Sequence, residues 1–266
     1  MKVFIIDLEK CNGCCGCQLA CKDEMCDNEW LPYSVPQPDL GHFWMKVNQT
    51  EHGQVPKVRV TSLPVMCNHC DSAPCITAAP DAVYKREDGL VIFDPVKVKG
   101  NKALVDACPY GVVYWNEELQ MPQKCTGCAH LVDNEILPHC VDLCGVGALR
   151  FGEEEEFGAE IAQATTLATP DHHARVYYLN DPKLFIGGEV WDPEINEIIE
   201  EAFVTLENQE GLHLETRSDD FGDFWFKRLD AGSYKLHIEA RGYLSVNRDI
   251  ELNESTNMGD FPLEKR

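Results

Sequence analysis

Four cysteines near the start of the chain are spaced Cys11-x2-Cys14-x2-Cys17-x3-Cys21. Three thiolates at successive steps of three residues suit the faces of an iron–sulfur cube, and in the bacterial ferredoxin spacing the fourth reaches a second cluster. A zinc site usually pairs two separated Cys-x2-Cys or Cys/His knuckles around one tetrahedral ion. The first group therefore points to [4Fe–4S] chemistry. A second group, Cys67-x2-Cys70-x4-Cys75, lacks its fourth member, because Ala79 stands there before Pro80. A third keeps only Cys108 before Pro109, with Val98, Asn101 and Leu104 where its companions should sit. The fourth group is Cys125-x2-Cys128-x11-Cys140-x3-Cys144, which taken alone also admits a zinc knuckle.

Where two ferredoxin-like halves cross, each motif's fourth cysteine serves the other motif's cluster. Pairing the outer groups gives one quartet of Cys11, Cys14, Cys17 and Cys144, and another of Cys21, Cys125, Cys128 and Cys140. Pairing the inner groups gives Cys67, Cys70, Cys75 and Cys108. The remaining quartet would need Ala79, Val98, Asn101 and Leu104, and all four of its ligands are missing. Three [4Fe–4S] clusters are expected. Cys15 and Cys26 fall off the spacing and read as free thiols. His69 and His130 lie beside cysteine groups, where an imidazole can hydrogen-bond a cluster sulfur; Lys124, Tyr110 and Trp115 are placed to tune or shield.

These loops need a scaffold. Residues 3–7 read as a strand entering the first cysteine loop. Residues 82–85 and 90–94 flank a turn signal at Asp88-Gly89 and predict a hairpin, and residues 112–116 predict another short strand. The run Glu153-Glu154-Glu155-Glu156 reads as a solvated boundary, followed by a short helix or linker over 159–169. Beyond it, alternating runs at 184–190, 202–206, 212–217, 223–226, 233–240 and 244–252 predict an all-β sandwich. Val204, Leu206, Phe224, Phe226, Tyr234, Leu236 and Ile238 are its expected core. The expected fold is α+β, with a double ferredoxin-like polycluster domain over 1–150, an acidic linker over 151–175 and a sandwich over 176–266.

Composition narrows the function. All 14 cysteines lie at or before Cys144, so metal belongs to the first half and the second half must be held by packing. A net charge of −22 argues against a nucleic-acid partner, because nothing offsets phosphate repulsion. The first apolar run, Val3-Phe4-Ile5-Ile6, stops at Asp7, shorter than a signal peptide requires, and no run suits a membrane span. A cytoplasmic location is expected, or export on a partner's signal. No nucleophile–base arrangement, phosphate loop or HExxH motif stands out, so catalytic residues are expected on another polypeptide. A free-standing polyferredoxin and a structural zinc protein are the competing classes.

Several longer runs carry a resemblance: Gly41-His42-x-Trp44-Met45, Cys67-x-His69-Cys70-x3-Pro74-Cys75, Cys108-Pro109-Tyr110-Gly111-Val112-x-Tyr114-Trp115-Asn116, and Lys124-Cys125-Thr126-x-Cys128-Ala129-His130-Leu131. With them the chain resembles the iron–sulfur subunits of the dimethyl-sulfoxide-reductase-type molybdopterin oxidoreductases, within them the pyrogallol–phloroglucinol transhydroxylase branch. That resemblance implies three cubanes here and an anaerobic partner subunit holding molybdenum on two molybdopterin guanine dinucleotides. It also implies a substrate among polyhydroxylated aromatics, and an assembly of at least a heterodimer. A related resorcinol hydroxylase or catechol dehydroxylase stays open. In four-cluster relatives, the cluster missing here is the one farthest from the molybdenum. The second half is similar to transthyretin- or carboxypeptidase-regulatory-like sandwiches, through Gly187-Gly188-x-Val190 and Gly222-x-Phe224-x-Phe226, which implies a structural or subunit-contact domain.

Overall fold

The computed structural model covers residues 1–266 and divides into two compact units. The first comprises Met1–Gln49 and Ser62–Asp181, and the second Thr50–Thr61 and Pro182–Arg266.

The first unit is organised on strand β1 (Lys2–Asp7), and helix α1 (Gly16–Met25) follows the first cysteine loop. The hairpin β2 (Lys46–Gln54) and β3 (Lys57–Val65) comes next, and its residues 50–61 belong to the second unit. Short elements then alternate with cysteine loops: α2 (Pro74–Ala78), β4 (Val83–Lys85), β5 (Val91–Phe93) and α3 (Ala103–Asp106). After them come β6 (Tyr114–Asn116), β7 (Met121–Gln123), α4 (Ala129–Val132), α5 (His139–Asp142) and β8 (Leu149–Glu153). A last short helix, α6 (Gly158–Ile161), precedes β9 (Val176–Leu179).

Strand β1 is apolar without alternation because neighbours flank it on both sides. It pairs antiparallel with β8 and parallel with β9, and Val3 to Ile6 are almost fully buried. Around Gly89 the β4–β5 hairpin closes as expected, with Asp88 Oδ1 accepting the Leu90 amide at 3.1 Å. The strand expected at 112–116 is confined to β6, paired with β7.

Residues 151–175 differ from the expected linker. They lie inside the first unit, and the boundary falls between Asp181 and Pro182. Two contacts account for this. β9 completes the β1 sheet, and the acidic run is tied down by ion pairs. Glu153 meets Lys2 at 2.9 Å, while buried Arg175 reaches Glu154 at 3.0 Å and Asp71 at 2.6 Å. The helix expected over 159–169 is only the single turn α6.

The second unit is a sandwich of two four-stranded sheets. One holds β10 (Leu184–Asp192), β11 (Glu197–Ile198), β14 (Asp223–Leu229) and β17 (Thr256–Pro262), with β17 parallel to β10. The other runs β13 (His213–Arg217), β12 (Phe203–Asn208), β15 (Gly232–Glu239), β16 (Val246–Leu252). The alternating residues Val204, Leu206, Phe224, Phe226, Tyr234, Leu236 and Ile238 share one buried cluster, as the sequence requires. Burying each large apolar side chain contributes about 1.5–3 kcal/mol, which holds this unit without metal. Lys57, buried at the hairpin tip, pairs with Asp223.

On the outer face, carboxylates hold two histidines. His213 lies between Glu215 (3.0 Å) and Glu207 (2.8 Å), and His237 Nε2 meets Glu239 at 2.8 Å. Both imidazoles are raised above the ordinary value of 6.5, His213 by Glu215 and Glu207 and His237 by Glu239. A raised folded value gives stabilisation that is complete below the unfolded value of about 6.5 and disappears as pH rises through the folded value. Ring-proton NMR of the protein should show both histidines titrating above that value. Titration of either at or below it would rule out the pairing.

Candidate iron–sulfur centres

The first cysteine loop is anchored where β1 ends. The Cys11 amide donates to the Asp7 carbonyl at 3.1 Å, and the Asp7 carboxylate receives Asn180 Nδ2 at 2.8 Å. Cys15 then takes a left-handed backbone, φ 58°, and starts α1. One helical turn separates Cys17 from Cys21, and both are buried. Their neighbours nevertheless differ. Burial first, then repulsion from Cys11 and Cys144, pushes the Cys17 thiol up to about 12. Cys21 is raised well above 9.0, again by burial first, but then by Cys125 and Cys128.

The other cysteines sort in the same way. Cys11 is raised by burial and by Cys144 and Cys14. Cys140 is raised by burial, then by Cys128, Cys21 and Cys125. Cys70, at about 12, is affected by burial and then by Cys67, Cys75 and Cys108; burial also raises Cys75, to about 11. Each expected quartet is thus a set of spatial neighbours. Influences between the sets link them in a line, weak ones from Cys17 and, from Cys67, the leading charge effect on Cys125. Cys17 acts on both Cys21 and Cys140, and Cys67 acts on Cys125. The quartet of Cys21, Cys125, Cys128 and Cys140 therefore lies between the other two.

The donor set suits cubanes. Burial raises the proton affinity of eight of the twelve thiols, Cys11, Cys17, Cys21, Cys70, Cys75, Cys125, Cys128 and Cys140, and iron must displace the protons they hold to make thiolates. Backbone amides already address the sulfurs, Gly127 toward Cys125 Sγ at 3.3 Å and Leu149 toward Cys144 Sγ at 3.4 Å. Gly127 itself has φ +66°, and a Cβ there would come within 2.7 Å of Leu90 Cδ2, so the loop needs glycine. A small pocket is lined by Cys67, Cys70, Cys75 and Cys108 together with Val91 and Lys124. Trp44 Nε1, His69 Nε2 and Thr126 Oγ1 are buried near these loops without a hydrogen-bond partner. Cluster sulfur is an acceptor that such donors lack here.

Where a fourth cluster would need ligands, the chain has packed core. Ala79, Val98 and Leu104 join Ala82, Val83, Val91, Phe93, Val113 and Met121 in one buried apolar cluster. Asn101 stays half-buried at the edge, its amide bonded to the Val98 carbonyl at 3.0 Å.

The structure also places the remaining candidates. Cys15 Sγ turns to the Gly13 carbonyl and Cys26 Sγ to the Pro38 carbonyl. His69 is fully buried, its Nδ1 accepting the Val91 amide at 3.0 Å, and burial followed by Lys124 and Lys85 keeps it well below 6.5. It is neutral, with its proton on Nε2. His130 instead faces Glu24 at 2.8 Å and stacks on Trp30 with ring centroids 4.3 Å apart. His139 Nδ1 lies 3.0 Å from the other Glu24 oxygen. Sequence reasoning singled out His130 but missed Glu24, His139 and their pairing, which joins residues from three separate helices. It also missed the clasp on Tyr110, whose hydroxyl meets His172 and Thr169, residues within the supposed linker.

The 4Fe-4S dicluster domain family matches residues 58–154, and the carboxypeptidase regulatory-like domain family matches residues 186–264. The pyrogallol hydroxytransferase small subunit of Pelobacter acidigallici is 37% identical over 276 residues, covering 98% of both chains. The chain is a member of that small-subunit family. Two further relatives match over a shorter span. A tetrathionate reductase subunit of Salmonella typhimurium is 37% identical over 60% of each protein. An anaerobic dimethyl sulfoxide reductase polypeptide of Escherichia coli is 35% identical over 58% of this chain and 74% of its own length. The dicluster match spans Cys67 to Cys144, while Cys11, Cys14, Cys17 and Cys21 lie outside it.

Proposed function

We propose that this chain holds three [4Fe–4S] clusters on its three cysteine quartets and is the electron-transfer subunit of a molybdopterin oxidoreductase complex. Cys11, Cys14, Cys17 and Cys144 hold one cluster; Cys21, Cys125, Cys128 and Cys140 the middle one; Cys67, Cys70, Cys75 and Cys108 the last. Clusters so held supply one-electron transfer between neighbouring centres. The chain's own residues surround the thiols with apolar walls, fix them in loops and on short helices, and aim backbone amides at the sulfurs. The catalytic centre, molybdenum on two pterin guanine dinucleotides, belongs to a larger partner subunit.

The reaction proposed is hydroxyl transfer among polyhydroxylated aromatics, of the pyrogallol–phloroglucinol kind. The observation that carries this choice is the full-length match. The reductase relatives align with about three-fifths of the chain, whereas the hydroxytransferase subunit aligns with 98% of it, second unit included. The second unit is read as a structural or subunit-contact domain, and the dry fourth site as a wire that ends at the third cluster without discharging into quinone.

The test is purification of the chain with its large subunit under anaerobic conditions. About 12 iron atoms per chain, no stoichiometric zinc, and turnover without added electron acceptor or donor are expected. A chain that purifies alone and shuttles electrons would make it a free polyferredoxin. A requirement for an external donor or acceptor would favour a hydroxylase or dehydroxylase. Rapid reduction by a quinol analogue would contradict the closed wire.

A further inference from the structure

Two lysines point at the loop of the third quartet, and they are not equivalent. Lys85 is partly exposed; its Nζ donates to the His69, Cys70 and Gly89 carbonyls and is neutralised by Asp71 at 2.8 Å. Lys124 is buried to 3% exposure. Its Nζ donates to the Val91 carbonyl and to the Cys125 carbonyl at 3.0 Å, and sits 5.1 Å from the Phe93 ring centroid. No carboxylate pairs with it. It also lines the cavity formed by Cys67, Cys70, Cys75 and Cys108.

A buried ammonium with only neutral acceptors is expensive, because carbonyls do not replace the hydration or the counter-charge it loses. The charge that would offset it is that of a thiolate-ligated cluster, which is anionic and becomes more so on reduction. At short range and low dielectric, a fixed positive charge favours the more negative, reduced form. Lys124 adjoins Cys125 of the middle quartet in sequence but opens into the cavity of the third, so its influence is largest on the third centre. Nothing places it beside the quartet of Cys11, Cys14, Cys17 and Cys144.

We propose that Lys124 is the residue that makes the terminal centre the electron-holding end of the wire, by giving the cluster on Cys67, Cys70, Cys75 and Cys108 the highest potential of the three. This rests on the cluster assignment above. The step it biases is simple. The middle centre loses one electron as the terminal centre gains one, with no bond made or broken and no proton moved. Lys124 is a positioning charge, not a ligand, and Lys85 serves as the internal control because Asp71 and Glu154 together already balance Lys85 and Arg175.

The experiment is an EPR-monitored redox titration of the assembled complex carrying Lys124→Met, Lys124→Gln, Lys124→Arg or Lys85→Met. Both neutral variants at Lys124 should lower one midpoint at least tenfold in its reduction equilibrium, about 59 mV for a one-electron couple. The middle centre should fall less, and the midpoint of the centre on Cys11, Cys14, Cys17 and Cys144 should stay. Lys124→Arg should hold close to the unmodified value, and Lys85→Met should move little. Unmoved potentials, or equal shifts in all three, overturn the proposal. Should the neutral variants fail to load iron, the unmodified complex decides, since Cys108→Ser must then alter the centre of highest potential and not a lower one. An unmodified complex with two or four clusters would instead defeat the cluster assignment, before the lysine is tested.

Discussion

Replacing Cys21 by alanine should abolish the middle cluster and leave the cluster of its own sequence motif intact. The spacing puts Cys21 with Cys11, Cys14 and Cys17, yet the fold surrounds it with Cys125 and Cys128. Iron should fall from about 12 to about 8 atoms per chain. The EPR component lost in Cys21→Ala should be the one lost in Cys125→Ala, and Cys17→Ala should remove a different one. Because the middle quartet lies between the other two, its loss should also stop electrons passing from one end to the other. If Cys21→Ala and Cys17→Ala erased the same component, the crossing would be wrong.

Leu104→Ala should destabilise the first unit by about 2–5 kcal/mol while leaving iron near 12 atoms per chain. Leu104 is fully buried on α3 among apolar side chains that include Ala79 and Val98, two of the residues standing where the sequence spacing would put a fourth quartet. Truncation there opens a cavity without removing one of the proposed ligands. Denaturant unfolding followed by circular dichroism, with iron analysis on the same sample, separates the two effects. Cys70 and Cys75 share this buried cluster, so loss of four irons in Leu104→Ala would mean that the packing and the third quartet are not independent. A change below about 1 kcal/mol would mean that the region is not core.

The two expectations locate different kinds of information. The proposed ligands were legible in the sequence because most fall in groups spaced by three or four residues, as a cubane requires, although each proposed quartet includes a cysteine from a distant segment. The absence of a fourth set was legible too, since Ala79, Val98, Asn101 and Leu104 occupy four defined positions. Strand β1 and the core of the sandwich were readable because burial imposes an apolar run or a two-residue alternation. The β2–β3 hairpin was not readable. Most of β2 is polar and exposed, so no alternation marks it. Strand β17, with Asn257, Gly259 and Asp260, likewise shows no pattern, although it pairs along β10.

By itself, then, the sequence pointed to the proposed ligand sets and to the division between a cysteine-bearing part and one without cysteine. Tertiary structure alone decided that residues 151–175 belong to the first unit, because Arg175 and β9 find partners far away in the chain. It decided that Tyr110 is clasped by His172, and that Glu24 lies between His130 and His139. Above all it decided that Lys124 is buried with no counter-charge, while Lys85 has one. The physical reason is range. Spacing encodes contacts within a turn, whereas burial and charge pairing depend on which distant segments the fold brings together.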